Sequence, residues 1–235
     1  MQTKTPRISV VIPTFQEGRY LANVLSRVAE VKPFIEIIVV DSGSQDNTVE
    51  TARQFTDKVC LIRERGISKA KNHGAQRASG GILVFLDADV KLPADFAEKV
   101  LKAFNDAAVV GATCHIVPEH PNLSEAIFFQ FYNLLIRICS KFKPHSRGEF
   151  LAVKKKSFLD IGEFNETMPC LEDHELAQRL SKLGKFVFIK DLLVYESLRR
   201  FRKLGFFRVV GTWMTDYISF MLRGKPISRV WSPVR

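Results

Sequence analysis

Four short apolar runs, Ile8-Ser9-Val10-Val11-Ile12, 35–40, 59–63 and Ile82-Leu83-Val84-Phe85-Leu86, alternate with segments of helical period at about 18–30, 46–56, 67–78 and 94–105. That order predicts an α/β fold, because successive strands joined through helices run parallel within one sheet. The runs are continuously apolar, as in Ile37-Ile38-Val39-Val40, so helices are expected on both faces of the sheet. In such folds ligands collect beyond the carboxyl ends of the strands. The polar residues that follow each run are therefore the first candidates for a site.

Three clusters meet that condition. The first run leads into Pro13-Thr14-Phe15-Gln16-Glu17, the second into Asp41-Ser42-Gly43-Ser44-Gln45-Asp46, and the fourth into Asp87-Ala88-Asp89. Two carboxylates one residue apart suit a hard divalent cation, Mg²⁺ or Mn²⁺, which takes one or two protein carboxylates and fills its other positions with water and phosphate oxygens. On spacing alone, Asp87 and Asp89 also fit a strand end before the helix that starts near Pro93. Asp41 precedes its turn and is expected to contact a ligand; Asp46 is expected to cap the next helix. The segment Gly66-Ile67-Ser68-Lys69-Ala70-Lys71-Asn72-His73-Gly74 opens a helix. Lys69 and Lys71 there suit either a diphosphate or a solvated surface. Glu172 and Asp173 begin a helix bearing Leu176, Leu180 and Leu183. They are candidates for a general base, with helix-dipole stabilisation as the alternative.

At 235 residues and 46% hydrophobic composition, the chain can bury a sizeable core. Its four cysteines are scattered, without a Cys-x-x-Cys pair, so neither a disulfide framework nor a zinc site is expected. Met1 to Arg7 lacks the apolar stretch of a signal peptide, and a cytoplasmic location is expected. Net charge is +10, unevenly spread: residues 1–120 carry 15 basic and 14 acidic side chains, whereas 196–235 carry nine Lys or Arg against Glu196 and Asp216. That excess favours an anionic neighbour.

The motifs Ile8 to Glu17, Val39-Val40-Asp41-Ser42-Gly43-Ser44-Gln45-Asp46-Asn47-Thr48, Ala70-Lys71-Asn72-His73-Gly74 and Phe85-Leu86-Asp87-Ala88-Asp89, in this order, resemble the nucleotide-sugar domain of family 2 glycosyltransferases. Gly148-Glu149-Phe150-Leu151-Ala152-Val153, Ile161-Gly162-Glu163-Phe164-Asn165-Glu166 and Glu172-Asp173-His174-Glu175-Leu176 resemble the acceptor half of that family, so the likeness runs from about 8 to 200. The resemblance implies a GT-A fold, Rossmann-like with a mostly parallel sheet, over 1–195. The nucleotide-sugar half spans about 8–120, the acceptor half about 121–195, and a basic extension 196–235. It implies a nucleotide-sugar site from Pro13, Thr14, Glu17, Asp41, Lys71, Asp87, Arg199 and Arg200, with Thr14, Glu17 and Asp41 around the nucleoside. It also implies a metal on Asp89 and Asp87 bridging the diphosphate, and Asp173 as catalytic base. Lys71 stands where the family usually has Arg, keeping the charge without the bidentate fork. Ser197, Arg199 and Arg200 match a Ser-x-Arg-Arg segment of the family. Some relatives place a metal-binding His shortly before that segment, where this chain has Tyr195, Glu196 and Ser197.

In the extension, Val210, Trp213, Met214, Tyr217, Ile218 and Met221 share one helical face, with Thr212, Thr215, Asp216 and Ser219 opposite. Arg208, Arg223, Lys225 and Arg229 flank it, a pattern suited to an anionic bilayer surface. The stretch 126–139 is apolar apart from Gln130, Asn133 and Arg137. Neither run has the ~20 apolar residues of a membrane span. Packing on the sheet or across a homodimer is the alternative for both.

The expected function is inverting transfer of a sugar from a nucleotide donor to a hydroxyl or phosphate of a glycan, lipid or polyprenyl phosphate, at the inner face of the cell membrane. A sugar-phosphate nucleotidyltransferase would carry a Gly-rich loop where Pro13 to Glu17 stands. A non-catalytic nucleic-acid or membrane-binding module has little use for converging carboxylates, which repel phosphate.

Overall fold

The computed structural model describes residues 7–31 and 34–229. Residues 1–6, on which the expectation about export rests, and 230–235 of the basic extension lie outside that range.

The expected alternation is present, as β1 (Ile8–Thr14), α1 (Leu21–Ala29), β2 (Ile35–Asp41), α2 (Thr48–Arg53), β3 (Val59–Leu61), α3 (Ile67–Arg77) and β4 (Ile82–Leu86). A two-residue strand β5 (Val90–Lys91) precedes α4 (Phe96–Ala103). Then follow β6 (Val109–Pro118), α5 (Leu123–Cys139), β7 (Phe150–Lys154), α6 (Lys155–Asp160), α7 (Glu172–Leu180), β8 (Lys185–Glu196), α8 (Arg199–Leu204) and α9 (Phe206–Arg223). The strands form one sheet in the order β3-β2-β1-β4-β7-β6-β8-β5. The first four strands are parallel, but β7 enters antiparallel to both β4 and β6, and β5 antiparallel to β8. Local apolar pattern does not encode that reversal. It brings the 147–150 segment alongside the Asp87–Asp89 turn, because Leu86 pairs with Phe150.

The two sheet faces carry separate cores. One holds Val10, Ile12, Leu25 and Phe96 and reaches Phe201 and Val209 of the extension. The other holds Val11, Val40, Phe85, Phe158 and Phe164. Alternate residues of β1 point into opposite cores, as a strand covered on both faces requires.

Helix α5 starts with a reciprocal cap: Asn122 Oδ1 accepts from Glu125 N at 2.9 Å and Glu125 Oε2 from Asn122 N at 2.8 Å. Its Asn133 faces inward and completes β6, accepting from Ile116 N and donating to Ile116 O. Helix α9 is turned the same way. Asp216 and Ser219 are buried, while Met214, Ile218 and Met221 are exposed. Asp216 accepts from the N–H groups of Ile227 and Ser228, at 2.9 and 2.7 Å, and so pins the chain that follows the helix.

Candidate active site

The β1–α1 and β2–α2 turns are laced together. Thr14 Oγ1 donates to Asp41 Oδ2 at 3.0 Å, and Asp41 Oδ1 accepts from the N–H groups of Gly43 and Ser44 at 3.0 and 2.8 Å. Gly43, at φ 87°, permits that turn. Asp46 accepts from Gly18 N and from Thr48 N, the first residue of α2, at 3.1 Å each. It thus serves the helix start from one position before the cap residue Asn47. Asp41 holds the turn that sets Ser42 on the wall of a cleft of about 560 Å³. Pro13, Thr14, Glu17, Asp87, Asp89, Arg199 and Arg200 line that cleft, whereas Asp41 and Lys71 are not among its lining residues. The volume lies within the range of small-ligand sites.

Arg199 spans the cleft mouth. Its Nη1 and Nη2 meet Glu17 Oε2 and Oε1 at 2.7 and 3.0 Å, and its Nε lies 2.9 Å from Asp89 Oδ2. One guanidinium thereby neutralises carboxylates from two strand ends. Burial still pushes Asp89 up to about 6, with Arg199 opposing and Glu17 and Glu149 adding to the rise. Asp87 stands well above the ordinary carboxylate range, first through burial, with Lys71 opposing and Glu149 and Asp89 reinforcing. Both carboxyls crowd other acids, so this corner is short of positive charge.

Behind them lies a cluster that sequence reading did not identify. Arg147 Nη2 donates to Glu149 Oε1 at 2.9 Å and Glu196 Oε2 at 2.6 Å, and its guanidinium lies over the rings of Phe129 and Tyr132. Glu149 and Glu196 also hydrogen-bond to each other. Burial and the Glu149 charge hold Glu196 well above its usual range, while at Glu149 burial is outweighed by Arg147 and hydrogen bonds. Arg147 Nη1 is buried without a hydrogen-bond partner among the described residues. The motif around 148–153 signals this segment in the sequence, but nothing local signals Arg147, whose partner Glu196 is 49 residues away.

Across the Asp87 turn stands the start of α7. Leu171, its cap residue, holds a left-handed φ of 62°, uncommon for a branched side chain. Glu172 and Asp173 follow, both buried. The fully buried ammonium of Lys71 lies 3.0 Å from Glu172 Oε1 and 2.8 Å from Asp173 Oδ1. Lys71, expected at the donor phosphates, is committed to these two carboxylates. Burial first, then Glu172, push Asp173 up to about 7, against the pull of Lys71. A Cβ placed on Gly148 would sit 3.1 Å from Asp173 Oδ2 and 3.7 Å from Asp87 Oδ2, so the backbone there passes close to both carboxyls. A second cavity of about 150 Å³ is lined by Asp173, His174, Tyr132, Trp213 and Tyr217, and it shares Asp87 and Glu149 with the larger cleft. Burial, followed by His145 and Arg147, pulls His174 down to about 3, so it is neutral.

Asn72 joins the two halves. Its Nδ2 donates to Phe164 O and Glu166 Oε1, and its Oδ1 accepts from Phe164 N, all at 3.0 Å. The helix that carries Lys71 is thereby fastened to the loop leading towards Asp173.

The model of the Glycosyl transferase family 2 matches residues 9–160. The chain belongs to glycosyl transferase family 2. This family 2 glycosyltransferase is 27% identical over 237 aligned positions to the glycosyltransferase AglE of Haloferax volcanii, spanning 93% of this chain and 78% of that protein. It is 29% identical over 207 positions to the GalNAc(5)-diNAcBac-PP-undecaprenol beta-1,3-glucosyltransferase of Campylobacter jejuni, spanning 83% of this chain and 66% of that one. The match to the dolichol-phosphate mannosyltransferase of Pyrococcus furiosus is 35% identical but covers 43% of this chain and 31% of the relative. The chain therefore spans between about a third and four fifths of these relatives. Among solved structures, mannosyltransferase PcManGT from Pyrobaculum calidifontis, in complex with GDP-Man and Mn²⁺, superposes with a TM-score of 0.74 at 24% identity, covering 95% of this chain and 66% of that one. Residues 1–349 of S. aureus TarS in complex with UDP-GlcNAc give 0.64 at 16% identity, covering 81% and 58%. The fold of this family 2 glycosyltransferase is GT-A, a central sheet flanked by helices.

Proposed function

We propose that this glycosyltransferase works by inversion, moving a sugar from a nucleotide diphosphate to a hydroxyl or phosphate of a lipid-linked acceptor at the inner face of the cell membrane. The GT-A domain is assigned to 1–195 and the basic extension to 196–235, which adds Arg199 and Arg200 to the larger cleft and Trp213 and Tyr217 to the smaller cavity. The observation that carries the reading is the position of Asp173. Its carboxyl, at about 7, lines a small cavity that shares the Asp87 wall with the larger cleft. A base poised near neutral pH and set across from the donor cleft is what inverting transfer needs.

Pro13, Thr14, Glu17, Arg199 and Arg200 would hold the donor, with Asp41 shaping the turn beneath it. Asp87 and Asp89 would hold a divalent cation, Mg²⁺ or Mn²⁺. Their crowded, upshifted carboxyls are hard oxygen donors in a corner short of positive charge, so the residues present fit such an ion. Among the described residues, no group of three or more His, Cys, Asp or Glu is arranged to hold a metal, so water and donor phosphate would complete the shell. When bound, the ion neutralises the charge of the departing diphosphate. Lys71 fixes Asp173 Oδ1, leaving Oδ2, beside Gly148, to take the acceptor proton. The acceptor oxygen then bonds to the anomeric carbon as the bond to the diphosphate breaks on the opposite face. PcManGT in complex with GDP-Man and Mn²⁺ supports the donor and cation classes. The polyprenol-linked substrates named for the Campylobacter and Pyrococcus relatives support the acceptor class.

Asp173→Asn tests this directly. Calorimetric binding of nucleotide sugar with Mn²⁺ is expected to be unchanged, while transfer falls by roughly 10²–10⁴-fold. Transfer at the wild-type rate would place the base elsewhere.

A further inference from the structure

Helices α5 and α9 lie side by side and run the same way. Near their starts the Phe128 ring lies 5.6 Å from Phe206 and 6.4 Å from Trp213; the segment that follows α5 then meets the second half of α9, with the His145 and Tyr217 rings 5.4 Å apart and Lys143 Nζ 3.3 Å from Met221 Sδ. Phe129, Asn133 and Ile136 of α5 and Val209, Asp216 and Phe220 of α9 face the protein. The opposite sides are apolar and open. Ile127, Phe131, Leu134 and Ile138 form a stripe at helical spacing on α5, and Met214 and Ile218 continue it on α9, with exposures between 50% and 65%. On each helix, stepping by 100° per residue places this stripe on the far side of the shared seam from the core. The two stripes therefore form one face.

The charges on that face are one-sided. Each helix has a single acidic residue, Glu125 and Asp216, and both are buried in hydrogen bonds to their own structure. Exposed at the carboxyl ends of the two helices are Arg137, Lys141 and Lys143 for α5 and Arg223 and Lys225 for α9. No described helix is long and apolar enough to cross a bilayer. A contiguous exposed apolar face flanked by cations marks a docking surface. A second copy of the chain would set one such face, bare of acids, against another; an anionic bilayer supplies both the apolar depth and the complementary charge.

We infer that the paired outer faces of α5 and α9 dock this protein onto an anionic membrane surface, both helices lying in the plane of the headgroups. This deepens the lipid-linked reading above, because Tyr132 of α5 and Trp213 and Tyr217 of α9 also wall the cavity that holds Asp173. Docking sets that cavity beside the layer in which a polyprenyl carrier resides.

The test is sedimentation with vesicles of phosphatidylcholine, with and without phosphatidylglycerol, in the absence of donor and acceptor. The wild-type chain should pellet with the anionic vesicles and less so at high salt. Phe131→Glu combined with Ile218→Glu should lower the bound fraction at least about tenfold while leaving the thermal unfolding curve and donor binding unchanged. Lys141→Glu combined with Arg223→Glu should remove the dependence on phosphatidylglycerol. Equal pelleting of wild type and the Phe131→Glu/Ile218→Glu variant would overturn the assignment. So would a wild-type chain that ignores vesicles, or one that forms a dimer which these substitutions dissolve. Failure here leaves donor turnover untouched, and loss of the transferase reading leaves the vesicle result untouched.

Discussion

Lys71 Nζ donates to Asp173 Oδ1 at 2.8 Å across a sequence separation of 102 residues, with both side chains shielded from solvent. The same ammonium holds Glu172, so one cation balances two buried acids. Removing one partner from such a group leaves uncompensated charge, which costs far more than an exposed pair would.

Lys71→Met is therefore expected to lower unfolding free energy by about 3–5 kcal/mol. Urea denaturation would measure it. Part of that loss should return below neutral pH, where Asp173 takes up a proton, so a pH-independent deficit would contradict the pairing.

The pH dependence follows from the upward shifts of Asp173, to about 7, and Asp89, to about 6, from an ordinary 3.8. A carboxyl with a raised folded-state pKa favours the native state while protonated. The stability these two contribute is fully present below about pH 3.8 and is lost as pH rises towards 6 and 7. Activity runs the other way, because the base must be ionised: kcat/KM should climb with pH and level off above about 7. A flat profile between pH 5 and 8 would sink the assignment of Asp173.

Arg199→Gln takes the fork from Glu17 and the charge from Asp89 together. Donor KM should rise by about tenfold or more, roughly 1.4 kcal/mol, and Arg199→Lys should restore only part because it lacks the bidentate geometry. Steady-state kinetics with saturating acceptor would show it. An unchanged KM would leave Arg199 a purely structural strap.

Gly74→Ala weighs two effects of opposite sign. Alanine gains about 1 kcal/mol of helix propensity over glycine. The added Cβ would lie 2.4 Å from Val11 Cγ1 and 3.0 Å from Val40 Cγ2, both on buried strands, and overpacking there costs about 1–3 kcal/mol. Net destabilisation is expected, and in a Val11→Ala background the same change should become stabilising. Denaturation of the four variants in a double-mutant cycle decides it.

The elements from β1 to α4 were legible because apolar runs and helical spacing are local, and their observed ends fall within a few residues of expectation. The antiparallel entry of β7 was not, since strand direction depends on partners distant in the chain. Spacing gave α9 one apolar and one polar face, but the fold divides both: Val210 and Trp213 pack on the core while Met214 and Ile218 are exposed, and Asp216 and Ser219 turn inward to bind the segment after the helix while Thr212 and Thr215 stay outside. In the candidate site, strand-end position points to Thr14, Glu17, Asp87 and Asp89, which line one cleft, and family likeness points to Asp173, which lines the adjoining cavity. The helix start that carries Lys71 suits either a diphosphate or a solvated lysine, and only the packed structure reveals Glu172 and Asp173 as its partners.

The clasp between Glu17 and Arg199 closes a loop of 182 residues. Contacts so remote in sequence form late, after the intervening strands have paired. During synthesis the first strand and its turn therefore emerge long before the arginine that completes them. Until α8 leaves the ribosome, the growing chain holds half a crevice, and a truncated product ending before it would fold much of the sheet yet lack a finished cleft.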